Sequence, residues 1–204
     1  LADEYINQKL RFGHWKDSAI LVRGEAAWSM TVMFLSLWDD IRRTPAEDYD
    51  RFRPHWETPP TGVGFVQPYT DSPLDGEAVG QSVYLNLINR ARRYVYITTP
   101  YLIVDDSMNT ALCIAAKSGV DVRIMTPHIP DKKMVFEVTR AHYGPLLEAG
   151  VKIYEYTPGF VHAKNFAVDD KFGTVGTVNV DYRSLFLHFE NGVWLCGAPA
   201  VRDI

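Results

Sequence analysis

His162 and Lys164 stand two residues apart in His162-Ala-Lys164-Asn-Phe-Ala-Val-Asp169, and Gly176-Thr177-Val-Asn179 follows a few residues later. An imidazole can attack phosphorus or pass a proton near neutral pH, and an ammonium holds oxygens whose negative charge shifts during a reaction. Side chains two apart in a strand project from one face, so this pair is expected to meet one anionic phosphate. Asn179, arriving on the next strand after a turn at Asp169 to Gly173, adds amide donors, and Thr177 adds a hydroxyl. Asp169 is an odd number of residues from His162 and faces the other way on a straight strand, so its expected job is to brace the turn. A lone His-x-Lys is common and usually marks a solvated strand edge. Four further fixed positions, each filled by chance about one time in twenty, make the whole pattern rare by accident.

Positioning such a pair requires a sheet, and the periodicity supplies one. Strands are expected at Ala19–Arg23 (buried), Tyr94–Thr98, Val120–Met125, Val151–Tyr156, His162–Val168, Gly173–Val178 and Gly192–Cys196, with a short one at Gly64–Gln67. Helical spacing predicts Glu25–Arg43, whose aromatic run Trp28–Trp38 is read as core, then Glu77–Arg93 and Ser107–Ser118. A helix capped by Asp131 reaches Ala149 with a bend near Gly144 and Pro145. Alternating strands and helices followed by a strand-rich last quarter imply an α/β/α sandwich with a mixed, largely parallel sheet flanked by helices. Half of the prolines (Pro45, Pro54, Pro59, Pro60, Pro68, Pro73) fall between Thr44 and Gly76. The organisation read from this is an N-terminal unit 1–43, a connection 44–76 and a main lobe 77–204.

Composition narrows the field. The 204 residues are 47% hydrophobic and 13% aromatic, with 21 basic against 25 acidic side chains and a net charge of -4, which excludes a disordered chain. Mild acidity argues against broad nucleic-acid binding, so no nucleic-acid partner is expected, though a small basic pocket is compatible with it. The longest apolar stretch is too short for a bilayer. Cys113 and Cys196, far apart in apolar runs, suggest neither a disulfide framework nor a metal site, and no metal or other cofactor is expected. His14, His55, His128, His142 and His188 lack partners at metal-ligand spacing. Arg51-Phe-Arg53-Pro-His55 reads as a solvated loop or a basic patch, and Tyr101–Val104 as either an acyl-chain entrance or a segment buried under a helix.

The chain also repeats itself. Asp17 precedes an apolar run and Gly24, and Glu190 precedes an apolar run and Gly197 at the same interval. Each acid opens an expected strand.

His-x-Lys-x4-Asp followed by Gly-Thr-x-Asn resembles the HKD motif of the phospholipase D superfamily, with Thr177 where that pattern has Ser. The resemblance implies a phospholipase D-like fold and a metal-free reaction in which one motif's histidine forms a phosphohistidine and another's protonates the leaving alcohol. Glu190, 28 residues beyond His162, sits where family members often place the carboxylate on the ring's far nitrogen. By the repeat, Asp17 is then expected to orient the histidine of a first motif. Leu1–Ile6, Gly13-His-Trp-Lys-Asp17, Thr99-Pro-Tyr101, Gly119–Ile124 and Asn179–Ser184 are similar to the bacterial cardiolipin synthase branch along the whole chain. That similarity implies a fragment starting just after a first motif, so that 1–43 is the remnant of a first lobe. It further implies phosphatidylglycerol or a related phospholipid as substrate, an inner-membrane setting with the catalytic part cytoplasmic, and a dimer where only one motif is present. Hydrolysis of phosphodiesters and a catalytically silent lipid-binding role are the alternatives.

Overall fold

The structure, a computed structural model, describes residues 2–44, 48–57 and 61–204. Leu1, Pro45, Pro59 and Pro60, which entered the sequence reading, lie outside the described residues. In chain order the elements are α1 (Glu25–Arg42), β1 (Phe65–Asp71), α2 (Val79–Arg90), β2 (Tyr94–Thr98), β3 (Leu102–Ile103), α3 (Asp106–Lys117), β4 (Asp121–Pro127), α4 (Lys133–Ala141), α5 (Tyr143–Glu148), β5 (Lys152–Tyr156), β6 (Asn165–Val168), β7 (Phe172–Gly176), β8 (Val180–Asp181), α6 (Tyr182–Phe186) and β9 (Glu190–Cys196).

Seven strands form one mixed sheet in the order β1-β9-β7-β6-β2-β4-β5, and β3 pairs with β8 in a separate short parallel ladder. β2, β4 and β5 are mutually parallel, and α3 and the α4–α5 pair lie in the crossovers between them. β6 and β9 run against the other five strands. The expected α/β sandwich is therefore the architecture observed, and β1, drawn from the proline-rich connection, is an integral edge strand of its sheet.

One face is closed by helices because its strand positions are uniformly apolar. Val95, Ile97, Val122, Ile124, Phe166 and Val168 are buried beneath Tyr84, Leu87 and Ile88 of α2, Met108 and Leu112 of α3, and Leu146 of α5. Each such side chain contributes roughly 1.5–3 kcal/mol by leaving water. On the opposite face Val193 and Leu195 pack with Ala198, Val201, Ile20, Val22 and Met30, while Tyr96, Met125 and Tyr154 remain substantially exposed.

The β6–β7 connection explains one motif residue. Asp169 and Asp170 both have positive φ (55° and 58°), and the Lys171 amide closes the turn on the Val168 carbonyl at 2.9 Å. A two-residue hairpin loop with both central residues left-handed matches the twist of its strands, and Asp is among the few side chains that accept that backbone. The Asp169 carboxylate then accepts from the amides of Arg92, Arg93 and Tyr94 at 2.7, 2.9 and 2.9 Å, which pins the turn to the start of β2.

Several expectations are corrected. Ala19–Arg23 is not a strand and is largely exposed, because no strand among the described residues offers it a ladder. α1 buries none of its residues, so Trp28–Trp38 is not core, and Phe34 and Trp38 are exposed. The helix expected from Asp131 to Ala149 is split at His142. Pro145 has no N–H to give the preceding turn but fits the first turn of a new helix. Asp131 is no cap, since Lys132 holds that position and the Asp131 carboxylate accepts the Tyr101 hydroxyl at 2.6 Å. Of Tyr101–Val104, Leu102 and Val104 are buried in the core, which excludes them from an acyl entrance. In the Arg51–His55 segment, Arg53 pairs with Glu25 at 2.7 Å. No described helix is long and apolar enough to cross a membrane.

Candidate active site

β6 begins at Asn165, three residues later than expected, so His162, Ala163 and Lys164 precede the strand. Their backbone is held by the N-terminal segment. Lys16 bridges Val161 in parallel fashion, its amide donates to the Phe160 carbonyl at 2.9 Å, and its carbonyl accepts the His162 amide at 2.8 Å. The approach is close because Gly13 (φ 80°) lies against Pro158, where a Cβ would stand 2.5 Å from a backbone oxygen. The Ser18 hydroxyl donates to Asn165 Oδ1 at 2.8 Å and ties the same segment to β6.

This docking carries Asp17 to the histidine. Asp17 Oδ2 is 2.9 Å from His162 Nδ1. The expected assignment is thereby exchanged: Asp17, not Glu190, holds the ring of His162. Burial by itself raises the Asp17 pKa, but the hydrogen bonds from His162 and the Ser18 amide, with the charges of His162 and Lys164, bring it below the usual carboxylate value. Tyr5 stacks on the imidazole with centroids 4.6 Å apart and 17° between planes, and Trp15 leans against it at 5.7 Å. No described residue bonds Nε2, and the side chain keeps 28% exposure, so that nitrogen is the one left for a substrate.

Lys164 is buried, and its ammonium donates to the His162 carbonyl. Desolvation lowers its pKa to about 8 against the opposing pull of Asp17, Glu190 and Asp181. A cation held this way is prepaid for an anion, since a phosphoryl group would supply the partner that burial has removed.

The other expected residues are placed differently. Glu190 Oε2 accepts the Thr177 hydroxyl, and Oε1 lies 3.4 Å from His188 Nδ1. Thr177 is thus engaged with Glu190 and with the Asn191 backbone rather than presented to an anion. Asn179 donates Nδ2 to Ser184 Oγ at 2.8 Å, and its buried Oδ1 has no partner, so its amide does not reach out as expected. Asp169 sits at the far end of β6 in the turn described above, which removes it from the reacting residues. Sequence reasoning missed Tyr5 and Trp15 as walls around His162; their only signals were the Leu1–Ile6 segment for Tyr5 and the Gly13-His-Trp-Lys-Asp17 cluster for Trp15. Thr99, read only as part of the Thr99-Pro-Tyr101 resemblance, is fully buried, and its hydroxyl accepts the Val180 amide at 3.0 Å and fixes the loop that carries Asn179. Tyr84, stacked on Phe166, braces that loop through the Val178 carbonyl. Among the described residues no three His, Cys, Asp or Glu side chains converge as a metal site.

A sheet with this hairpin, carrying a buried lysine beside a carboxylate-held histidine, has known relatives. A family model described as "Cardiolipin synthase, PLD-like domain" matches residues 84–204. The chain belongs to that family. A cardiolipin synthase from Geobacillus kaustophilus is 38% identical over 208 residues, covering all of this chain and 40% of its own length. An uncharacterised Streptococcus mutans protein is 51% identical, covering all of this chain and 44% of its own length. The chain therefore spans less than half of the curated relatives it matches. Two solved structures share the fold: a phospholipase D family member, Nuc, from Salmonella typhimurium (TM-score 0.56, 20% identity, 69% of this chain and 88% of that one) and a Haemophilus influenzae phosphatidylserine synthase (TM-score 0.53, 18% identity, 71% and 37%).

Proposed function

We propose that this chain supplies half of a phosphatidyl-transfer site that converts two phosphatidylglycerol molecules to cardiolipin and glycerol. The observation that carries the reading is the 2.9 Å contact between Asp17 and His162 Nδ1, with Nε2 bonded by no described residue and the buried Lys164 ammonium on the His162 carbonyl. A carboxylate on Nδ1 holds that nitrogen's proton and leaves Nε2 to give or take one.

In the mechanism, a histidine from a second motif attacks the donor's phosphorus. The bond from phosphorus to the glycerol oxygen breaks, and His162 Nε2 protonates the departing oxygen. The hydroxyl of the second phosphatidylglycerol then gives its proton to the now neutral His162 and attacks phosphorus, and the phosphorus–nitrogen bond of the phosphohistidine breaks. Lys164 neutralises the phosphoryl oxygens through both steps. The second histidine comes from a further part of a longer protein or from a second copy of the chain; the relatives, more than twice as long, have room for it. By the repeat, Glu190 serves that second histidine as Asp17 serves His162. The setting is a membrane surface, where both lipids reside.

The test is incubation of a protein carrying this chain with vesicles containing labelled phosphatidylglycerol. Cardiolipin formation supports the reading. Release of phosphatidate alone makes the protein a hydrolase, and silence together with lipid binding makes it a binding domain. Replacing His162 while trapping acid-labile phosphohistidine checks its role: the adduct persists if His162 is the proton donor and disappears if it is the nucleophile.

A further inference from the structure

A hollow of about 460 Å³ is walled by Tyr5, Phe12 and Trp15 and carries Arg11 and Lys132. Tyr5 and Trp15 are shared walls, since both rings also contact His162. Two acids line the hollow, and both are engaged elsewhere: Glu4 is 3.7 Å from Lys9, and Asp131 accepts the Tyr101 hydroxyl at 2.6 Å. Burial and Asp131 push the Tyr101 hydroxyl well above its ordinary pKa, so it remains a donor to that carboxylate. Arg11 and Lys132 have no ion-pair partner among the described residues and rest only on the faces of Phe12 (4.8 Å) and Tyr101 (5.5 Å).

The loop that presents Arg11 is built rather than slack. Asn7, at φ 58°, accepts the Trp15 amide at 2.7 Å and donates to the Trp15 carbonyl at 3.0 Å. The Trp15 indole donates to the Arg11 carbonyl, and Phe12 is held at φ 62°. Left-handed backbone at a bulky residue is unfavourable and persists only where the surroundings impose it.

We propose that this hollow is the acceptor subsite, in which Arg11 and Lys132 hold the phosphodiester of the second phospholipid while its free hydroxyl reaches His162. The inference rests on the transfer reading above. The donor's phosphoryl group belongs beside His162 and Lys164, whereas these two cations line a hollow that shares the Tyr5 and Trp15 rings with His162. An acceptor that carries its own phosphate a glycerol's length from the attacking hydroxyl needs such a displaced positive pair, and water or a simple alcohol does not. Loss of charge-assisted bonds to one anion is expected to cost about tenfold or more.

The experiment compares two acceptors in the longer protein. With Arg11→Ala/Lys132→Ala, transfer to phosphatidylglycerol falls about tenfold through a higher KM, exchange of labelled free glycerol into phosphatidylglycerol stays within about twofold, and Arg11→Lys/Lys132→Arg restores most of the difference. An equal loss with both acceptors, or no loss with either, overturns the proposal. Should the wild type transfer to no acceptor, the transfer reading fails by itself, and the hollow is judged by binding. Glycerophosphoglycerol then perturbs tryptophan fluorescence in the wild type and not in the double variant. Equal responses from the two proteins, or a wild-type response no stronger than to inorganic phosphate, overturn the subsite.

Discussion

Two segments of this chain begin with an acid, continue with an apolar run and end at glycine, yet they fold differently. From Glu190 the chain becomes β9, bonded on both edges to β1 and β7, and Leu195 is 1% exposed. From Asp17 the chain forms no strand, and Leu21 is 80% exposed. The carboxylates divide the opposite way: that of the unpaired segment holds the catalytic candidate His162, and that of the ordered strand is held by Thr177 and His188. A strand needs neighbours along its length, whereas a carboxylate needs only one correctly placed donor. Docking of residues 14–18 against 158–165 satisfies the second condition without the first.

Experiments that separate the two segments follow from this. The largest effect falls on the residue they contest: on the proposed transfer, His162→Asn in a longer protein carrying this chain is expected to lower cardiolipin formation at least about 1,000-fold, through loss of the proposed proton transfer to the leaving group. Activity within tenfold of wild type would remove His162 from the chemistry. Next, Leu195→Ala should cost about 2–4 kcal/mol of stability in denaturant unfolding, while Leu21→Ala changes it by less than about 0.5 kcal/mol. Equal costs would mean that the Asp17 segment is packed as a strand after all.

Asp17→Asn is expected to reduce turnover roughly 100-fold and to move the His162 Nδ1 proton resonance, whereas Glu190→Gln leaves that resonance in place. The reverse pattern would restore the pairing that spacing alone suggested. The smallest effect is in the pH profile. Lys164 has a folded pKa of about 8 against an ordinary 10.5, so its burial cost is fully present below about 8 and is relieved as pH rises toward 10.5. Unfolding free energy should therefore climb across that window relative to Lys164→Met, while phosphate binding weakens above about pH 8. A flat difference between the two proteins would show that the ammonium is solvated.

Much of the main lobe was legible in the sequence because its signals are local. Val95 and Ile97, Val122 and Ile124, and Phe166 and Val168 alternate at the period of a strand, and α2 and α3 follow helical spacing within a few residues of their ends. The reading failed where a partner decides. The apolar run after Asp17 has the pattern of a strand but no ladder, and the apolar residues of α1 have the pattern of a core helix without being buried. His162 and Lys164 were expected on a strand, and they belong instead to a stretch shaped by residues almost 150 positions earlier.

By itself the sequence determined which side chains are available for phosphoryl chemistry, the hairpin that Asp169 turns, and the alternation that builds a mixed sheet, because residue type and short-range spacing settle these. Only the tertiary structure decided which carboxylate meets His162, that Thr177 and Asn179 are tied up by Glu190 and Ser184, and that Arg11 and Lys132 share one hollow. Those pairings join residues distant along the chain, and their choice depends on which segments can dock closely enough to exclude water and satisfy each other's hydrogen bonds.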